Sequence, residues 1–262
     1  MARARLLLLV VSAMALCGPA ALASIPDYKR SIRLAFPSSA QVAAAKRYAS
    51  SRAGIISFTV VDSRGKRYSL DGDRQFVTAS VIKAMLLACF LNMKTVEHES
   101  LTSTDRSDLY AMITESDNDA ADEIYYQVGD GRLYNLANRL GMRHFSIYGY
   151  WANAQLTTND QALLMGHLSK AIYPRHYAFA RSLLSSVVSW ESWGIPQVAR
   201  PRGWKVFFKG GWRGTDRGQL IHEVARLERR GQTIVICVMT DGDPGSAYGE
   251  ETVRGIAQKL LR

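Results

Sequence analysis

Strand signals stand at both ends of this chain and helical signals fill the middle, a layout that restricts the fold more than any other feature. Near the start, GIISFTVVDS is rich in Ile, Val, Phe and Thr, SRGK makes a turn, and RYSLDG reads as a shorter second strand. Near the end, WKVFFKGGW is β-rich, and GQLIHEVARLE and QTIVICVMTDG are joined by RRGQ, with Gly231 where a tight turn wants it. Between them lie a helical run opening at TASVIKAMLLACFL, a segment near Ser107 to Thr114, DNDAADEIYYQVG, RLYNLANRLGM, TTNDQALLMGHLSKAIY and HYAFARSLLSSVV. These show apolar residues at three- and four-residue spacing. In TTNDQALLMGHL, Thr158 or Asn159 is placed to cap the start.

The early and late strands must meet if they are to pair. The expected architecture is therefore α/β (α+β): an antiparallel sheet from N- and C-terminal segments, flanked by the helices AQVAAAKRYASS and GEETVRGIAQKLLR, with an all-α lobe inserted. The α/β lobe is expected from about residues 24–77 and 203–262, the all-α lobe from about 78–202, and the site in the cleft between them.

Residues 1–23 are expected to be a signal peptide and to lie outside this fold. MARAR is basic, LLLLVVSAMAL is apolar but short for a membrane span, and GPAALA ends in small residues before Ser24. Leu16 before Cys17 is bulky where a lipoprotein anchor needs a small residue. The mature chain is thus expected to be exported, with no membrane span. Cys89 and Cys237 sit in apolar surroundings, ACF and VICVM, and read as buried small hydrophobes. The net charge is +10, and removing Arg3 and Arg5 with the leader leaves +8. Export argues against nucleic acid as the partner, so the charge reads as a solvated basic surface.

Three short motifs carry possible chemistry. Ser80 and Lys83 are three apart and share a helix face. Lys83 among Met85, Leu86 and Leu87 is partly desolvated, and a lysine made neutral by burial can take a proton from Ser80. Ser116, Asp117 and Asn118 fall between two helical patterns, where a hydroxyl can relay protons and an amide can hold a carbonyl or a lysine. Lys209 ends a strand before Gly210 and Gly211, which leave room for an extended substrate, and Trp212 offers an N–H beyond them. Taken singly, each has a plain structural reading: a cap with a snorkelling lysine, a helix cap, and a strand ending in a glycine turn.

In their order, S-x-x-K, S-D-N and K-G-G resemble the serine β-lactamases of class A and the related penicillin-binding proteins. The resemblance runs over nearly the whole mature chain and is closest around ITESDNDAADEI. It implies Ser80 as acylated nucleophile, Lys83 as adjacent base and Ser116 as proton shuttle. It also implies Asn118 on the substrate amide, Lys209 attracting a substrate carboxylate, and the N–H groups of Ser80 and Trp212 as oxyanion hole. Arg213 or Arg217 would add to carboxylate binding.

The chain departs from that pattern twice. The family has a hydroxyl residue after the strand lysine, whereas Gly210 stands here. Class A enzymes carry a glutamate for deacylation where this chain reads GMRHFSIYGYWANAQLTT, with no Glu or Asp. Glu115, Asp160 and Glu191 are the candidate substitutes.

The five histidines, His98, His144, His167, His176 and His222, show no ligand spacing, so neither metal nor cofactor is expected. The expected function is an exported serine acyl hydrolase acting on a β-lactam or related amide or ester, monomeric by default. One alternative is a peptidoglycan peptidase or esterase that β-lactams acylate and that deacylates slowly. The other is a binding protein on the same fold.

Overall fold

The structure, a computed structural model, describes residues 35–262; the expected signal peptide lies outside the described residues. Helix α1 (Ser39–Ser50) precedes strands β1 (Ile55–Val61), β2 (Arg67–Leu70) and β3 (Gln75–Val77). The helices that follow are α2 (Lys83–Phe90), α3 (Ser103–Thr114) and α4 (Asn118–Leu140). After strand β4 (Gln155–Thr157) come α5 (Thr158–Gly166), α6 (Leu168–Ala171), α7 (Pro174–Ser185) and α8 (Ile195–Ala199). Strands β5 (Lys205–Thr215), β6 (Gly218–Arg229) and β7 (Gln232–Asp241) lead into α9 (Ser246–Leu260).

As the strand signals predicted, the two ends of the chain build one sheet. Its order is β2-β1-β7-β6-β5, with every pair antiparallel. The join is the pairing of β1 with β7, from Ile55 opposite Asp241 to Val61 opposite Val235. Between β6 and β7 only Arg230 and Gly231 separate the paired Arg229 and Gln232, with φ 48° and 73°. Two left-handed residues make the tight turn whose twist suits antiparallel strands, and glycine adopts the second without a Cβ clash.

Side chains alternate across a strand, so β7 serves two cores. Ile234, Ile236 and Val238 face α1 and α9 with Phe58, Val60, Ile256 and Leu260. Val235, Cys237 and Met239 face the helical side, where α2 lies at the centre. Burial on both faces explains why QTIVICVMTD has no polar alternation. Every residue of α2 is buried, which suits a helix apolar all round. Cys89 and Cys237 are both free and buried, as their surroundings predicted.

One local reading is corrected. The cap of α5 is Thr157, whose hydroxyl accepts from the N–H of Asp160 while the Asp160 carboxylate accepts in return. Thr158 and Asn159 instead bond to Ser57, Thr59 and Ser69 and tie α5 to the sheet. The runs DNDAADEIYYQVG and RLYNLANRLGM are two helical stretches, as their patterns predicted: α4 breaks between them at Gly129, φ 67° and ψ 164°. The small β3–β4 ladder has no counterpart in the predicted elements.

Candidate active site

Ser80 lies in a 3-10 turn, Ala79–Ile82, that leads into α2. Two connections hold the approach to this turn. Thr78 N–H donates to Ala154 O at 2.8 Å. The buried His222 on β6 bonds through Nε2 to Val77 O at 2.9 Å, while its Nδ1 accepts from the N–H of Thr240 at 3.2 Å. That arrangement fixes the neutral tautomer, and burial pulls the His222 pKa down to about 4. Ala79 takes φ 43°, a left-handed conformation that costs a non-glycine residue about 1–3 kcal/mol.

Strand β5 runs directly against the turn. A Cβ at Gly211 would stand 2.9 Å from the backbone nitrogens of both Ser80 and Val81, and 3.2 Å from Thr78 O. The missing side chain therefore admits the Ser80 backbone rather than a substrate, and it brings the main chain of Trp212 alongside. Gly210 is different, since a Cβ there would meet nothing closer than Trp193 at 3.5 Å.

Lys83 is the first residue of α2, and its side chain is wholly buried. Its Nζ donates to Ser116 O at 2.6 Å, Asn118 Oδ1 at 2.9 Å and Asp117 O at 3.0 Å, with Ser116 Oγ at 3.4 Å. No hydrogen bond joins Lys83 to Ser80 among the described residues. Burial, then the charge of Lys209, pulls the Lys83 pKa down to about 7, against the opposing charges of Glu191, Asp117 and Asp122. Charged and neutral forms of this amine therefore coexist near neutral pH.

Ser116 sits between the two lysines. Its backbone is left-handed, φ 55°, and its hydroxyl accepts from Lys209 Nζ at 3.0 Å. Lys209 also donates to Glu191 Oε2 at 2.7 Å and to Gly210 O at 3.2 Å. The side chains of Lys209 and Glu191 are both 0% exposed. Burial lowers the Lys209 pKa and raises that of Glu191, and each shift is opposed by the partner's charge. Whether the proton rests on nitrogen or oxygen, the pair is neutral overall.

The acid-free stretch before β4 supplies an indole. Trp151, in the short turn Trp151–Asn153, is buried, with Lys83 Nζ 4.8 Å from its ring centroid. Its Nε1–H donates to Asp122 Oδ1 at 2.6 Å. None of the three candidate substitute acids presents a carboxylate there. Asp160 is buried and caps α5 while also accepting from Arg143 N–H. Glu191 is bound to Lys209, and its Oε1 is buried without a partner. Glu115 is exposed at the end of α3 and makes no hydrogen bond to Ser80, Lys83 or Ser116.

The structure thus brings Ser80, Lys83, Ser116, Asn118, Lys209 and Gly211 together where the Ala79–Ile82 turn and the starts of α2 and α4 meet β5, with Trp212 next along the strand. Asn118 holds the lysine rather than an open position. The two arginines lie apart: Arg217 bonds Asp241, and Arg213 donates to Asn153 Oδ1 at 3.0 Å. Sequence reasoning missed the pairing of Glu191 with Lys209 and the placement of Trp151 against Lys83. The only available signal for the first was an acid enclosed by tryptophans in WESW. Among the described residues, no group of three or more His, Cys, Asp or Glu side chains could hold a metal ion.

A family model described as the beta-lactamase enzyme family matches residues 99–262. That span takes in Ser116, Asn118 and Lys209 but begins after Ser80 and Lys83. Among solved structures, the chain is similar to a beta-lactamase from Sphaerobacter thermophilus, at 20% identity and TM-score 0.73 over 84% of this chain and 95% of that one. It is also similar to a beta-lactamase from Chitinophaga pinensis, at 14% identity and TM-score 0.73 over 84% and 98%. PBP-A matches at 17% identity and TM-score 0.72 over 85% and 95%. At such identities the likeness is one of fold. No curated protein matches by sequence.

Proposed function

The chain belongs to the beta-lactamase enzyme family, and from that premise we propose that it is an exported serine acyl hydrolase that forms an ester on Ser80 and releases it slowly. The observation that carries this reading is the buried amine of Lys83 at the head of α2, with a pKa near 7 and Ser116 between it and Lys209.

The steps follow from the groups present. A neutral Lys83 keeps two N–H donors, so one of its three close acceptors is released and a lone pair becomes available. That lone pair takes the proton of Ser80 as Oγ attacks the carbonyl carbon of a β-lactam or related amide or ester. The tetrahedral oxyanion is held by the N–H groups of Ser80 and Trp212. The proton then passes from Lys83 through the Ser116 hydroxyl to the leaving nitrogen or oxygen. The bond from the carbonyl carbon to the leaving atom breaks, and an ester on Ser80 remains. No cofactor enters these steps.

Release needs a water and a base. Trp151 stands against Lys83 where such a base would act, so the acyl-enzyme accumulates. This resembles a peptidase that β-lactams acylate more than an efficient lactamase. A mutant of PBP-A, 18% identical over 84% of this chain, is itself known as an acyl-enzyme complex with penicillin G. Export rests on the leader pattern of residues 1–23, and no described helix is long and apolar enough to cross a membrane.

One observation favours a rival, a cleft that binds without turnover: Lys83 is bonded to Ser116, Asp117 and Asn118 and not to Ser80. Labelling with a fluorescent penicillin decides between them. The proposal expects a labelled band that is lost in Ser80→Ala and only slow turnover of a chromogenic cephalosporin. A wild type that no acylating probe labels supports the rival.

A further inference from the structure

We propose that Glu191 cancels the charge of the strand lysine and thereby turns the cleft toward uncharged amides or esters, with no carboxylate beside the scissile bond. The inference rests on the serine acyl hydrolase reading and specifies its substrate class.

Three observations converge on it. First, Lys209 has no donor to offer. A charged lysine carries three N–H groups, and the acceptors Glu191 Oε2, Ser116 Oγ and Gly210 O are already within 3.2 Å. An incoming carboxylate would have to displace one of them, and the Glu191 charge beside the nitrogen offsets the attraction it would feel. Both side chains are sealed from solvent, so water does not screen that charge.

Second, the next residue gives the anion no hydrogen bond, because Gly210 stands there without a hydroxyl. Third, the rim next to Ser116 is acidic. Glu115, Asp117, Asp119 and Asp122 are all exposed at the end of α3 and along the first turns of α4. Of the nearby cations, Arg217 is paired with Asp241, while Arg213 donates to the neutral amide of Asn153 and keeps its charge. A substrate anion thus finds its expected lysine already neutralised, with acidic residues exposed at the nearby start of α4.

The buried oxygen Glu191 Oε1, which has no partner, points the same way. A buried carboxylate oxygen left without a partner is costly to fold. The arrangement is therefore poor as a purely structural device, and it keeps Lys209 on Ser116 for the proton relay without a net charge in the cleft.

The test measures binding of two matched arylboronic acids to the whole protein by calorimetry at pH 6. One bears a ring carboxylate and the other its methyl ester. The wild type is expected to bind the ester at least as tightly as the acid. In Glu191→Gln, Lys209 is left uncancelled, and the preference should shift toward the acid by about tenfold. In the double variant Glu191→Gln, Lys209→Met the ratio should return to the wild-type value, which guards against reading a folding defect as selectivity. Circular dichroism melts accompany both variants.

A wild type that favours the acid tenfold or more overturns the inference, as does a folded Glu191→Gln with an unchanged ratio. If Ser80 is acylated by penicillin while the acid is favoured, only the substrate class falls. If neither boronate binds and Ser80 is never acylated, the acyl hydrolase reading falls with it.

Discussion

Replacing Gly211 with alanine tests whether β5 sets the geometry around Ser80. The added Cβ meets Ser80 N and Val81 N at 2.9 Å and Thr78 O at 3.2 Å. All three are backbone atoms of a turn that is held by Ala154 and His222, so no flexible side chain can move aside. An ordinary contact needs about 3.5 Å or more, so strand and turn must separate by roughly half an ångström. Overpacking of that kind costs about 1–3 kcal/mol of stability. Because an error of about 1 Å at a reacting centre can cost on the order of a hundredfold in rate, acylation should slow by about tenfold or more.

Gly210→Ala is the internal control. Its Cβ would meet Trp193 at 3.5 Å and Glu191 O at 3.8 Å, which are normal contacts. The assay pairs stopped-flow acylation by a fluorescent penicillin with urea unfolding of both variants. The expected result is a large loss for Gly211→Ala and nearly wild-type behaviour for Gly210→Ala. Equal effects from the two substitutions, or wild-type acylation by Gly211→Ala, would refute the reasoning.

Three other outcomes are expected. The acylation rate should rise with pH through an apparent pKa near 7, because Lys83 accepts the Ser80 proton only when deprotonated; a flat profile from pH 5.5 to 8.5 contradicts the assignment. His222 titrates at about 6.5 in the unfolded chain and about 4 in the folded one, so the unfolded state binds more protons between those values. Stability is therefore full above pH 6.5 and declines as pH falls toward 4, by about 3 kcal/mol from this residue. The urea stability gap between wild type and His222→Gln should narrow by that amount over the window. Trp151→Ala should lose about 3–5 kcal/mol of stability and also shorten the acyl-enzyme lifetime, because water gains the space beside Lys83. A destabilised variant with an unchanged lifetime would leave the indole a packing role alone.

What the sequence revealed divides along physical lines. Strands β1 and β7 were legible because β-branched residues make up most of runs of 7 and 10 residues. Strands β3 and β4, three residues each, are too short to carry a period and pair across a long stretch of chain, from Gln75 opposite Thr157 to Val77 opposite Gln155. Ser80, Lys83, Ser116, Asn118 and Lys209 were legible as short motifs in a meaningful order. The roles of Glu191 and Trp151 were not, since each depends on a partner on a distant element. Lys209 read as an open cation because its burial and its acid partner exist only in the folded chain. The cap of α5 was placed one or two residues late because Thr157, Thr158 and Asn159 all cap well, and the sheet claims the last two.

The central claim is that Ser80 becomes a long-lived ester. Intact-mass spectrometry over time with penicillin measures both its formation and its release. The account predicts one added penicillin mass per chain, persisting for many minutes, absent from Ser80→Ala and mapped to the peptide that holds Ser80. A protein that gains mass from neither penicillin nor an uncharged fluorophosphonate, or that gains it equally in Ser80→Ala, would contradict the account.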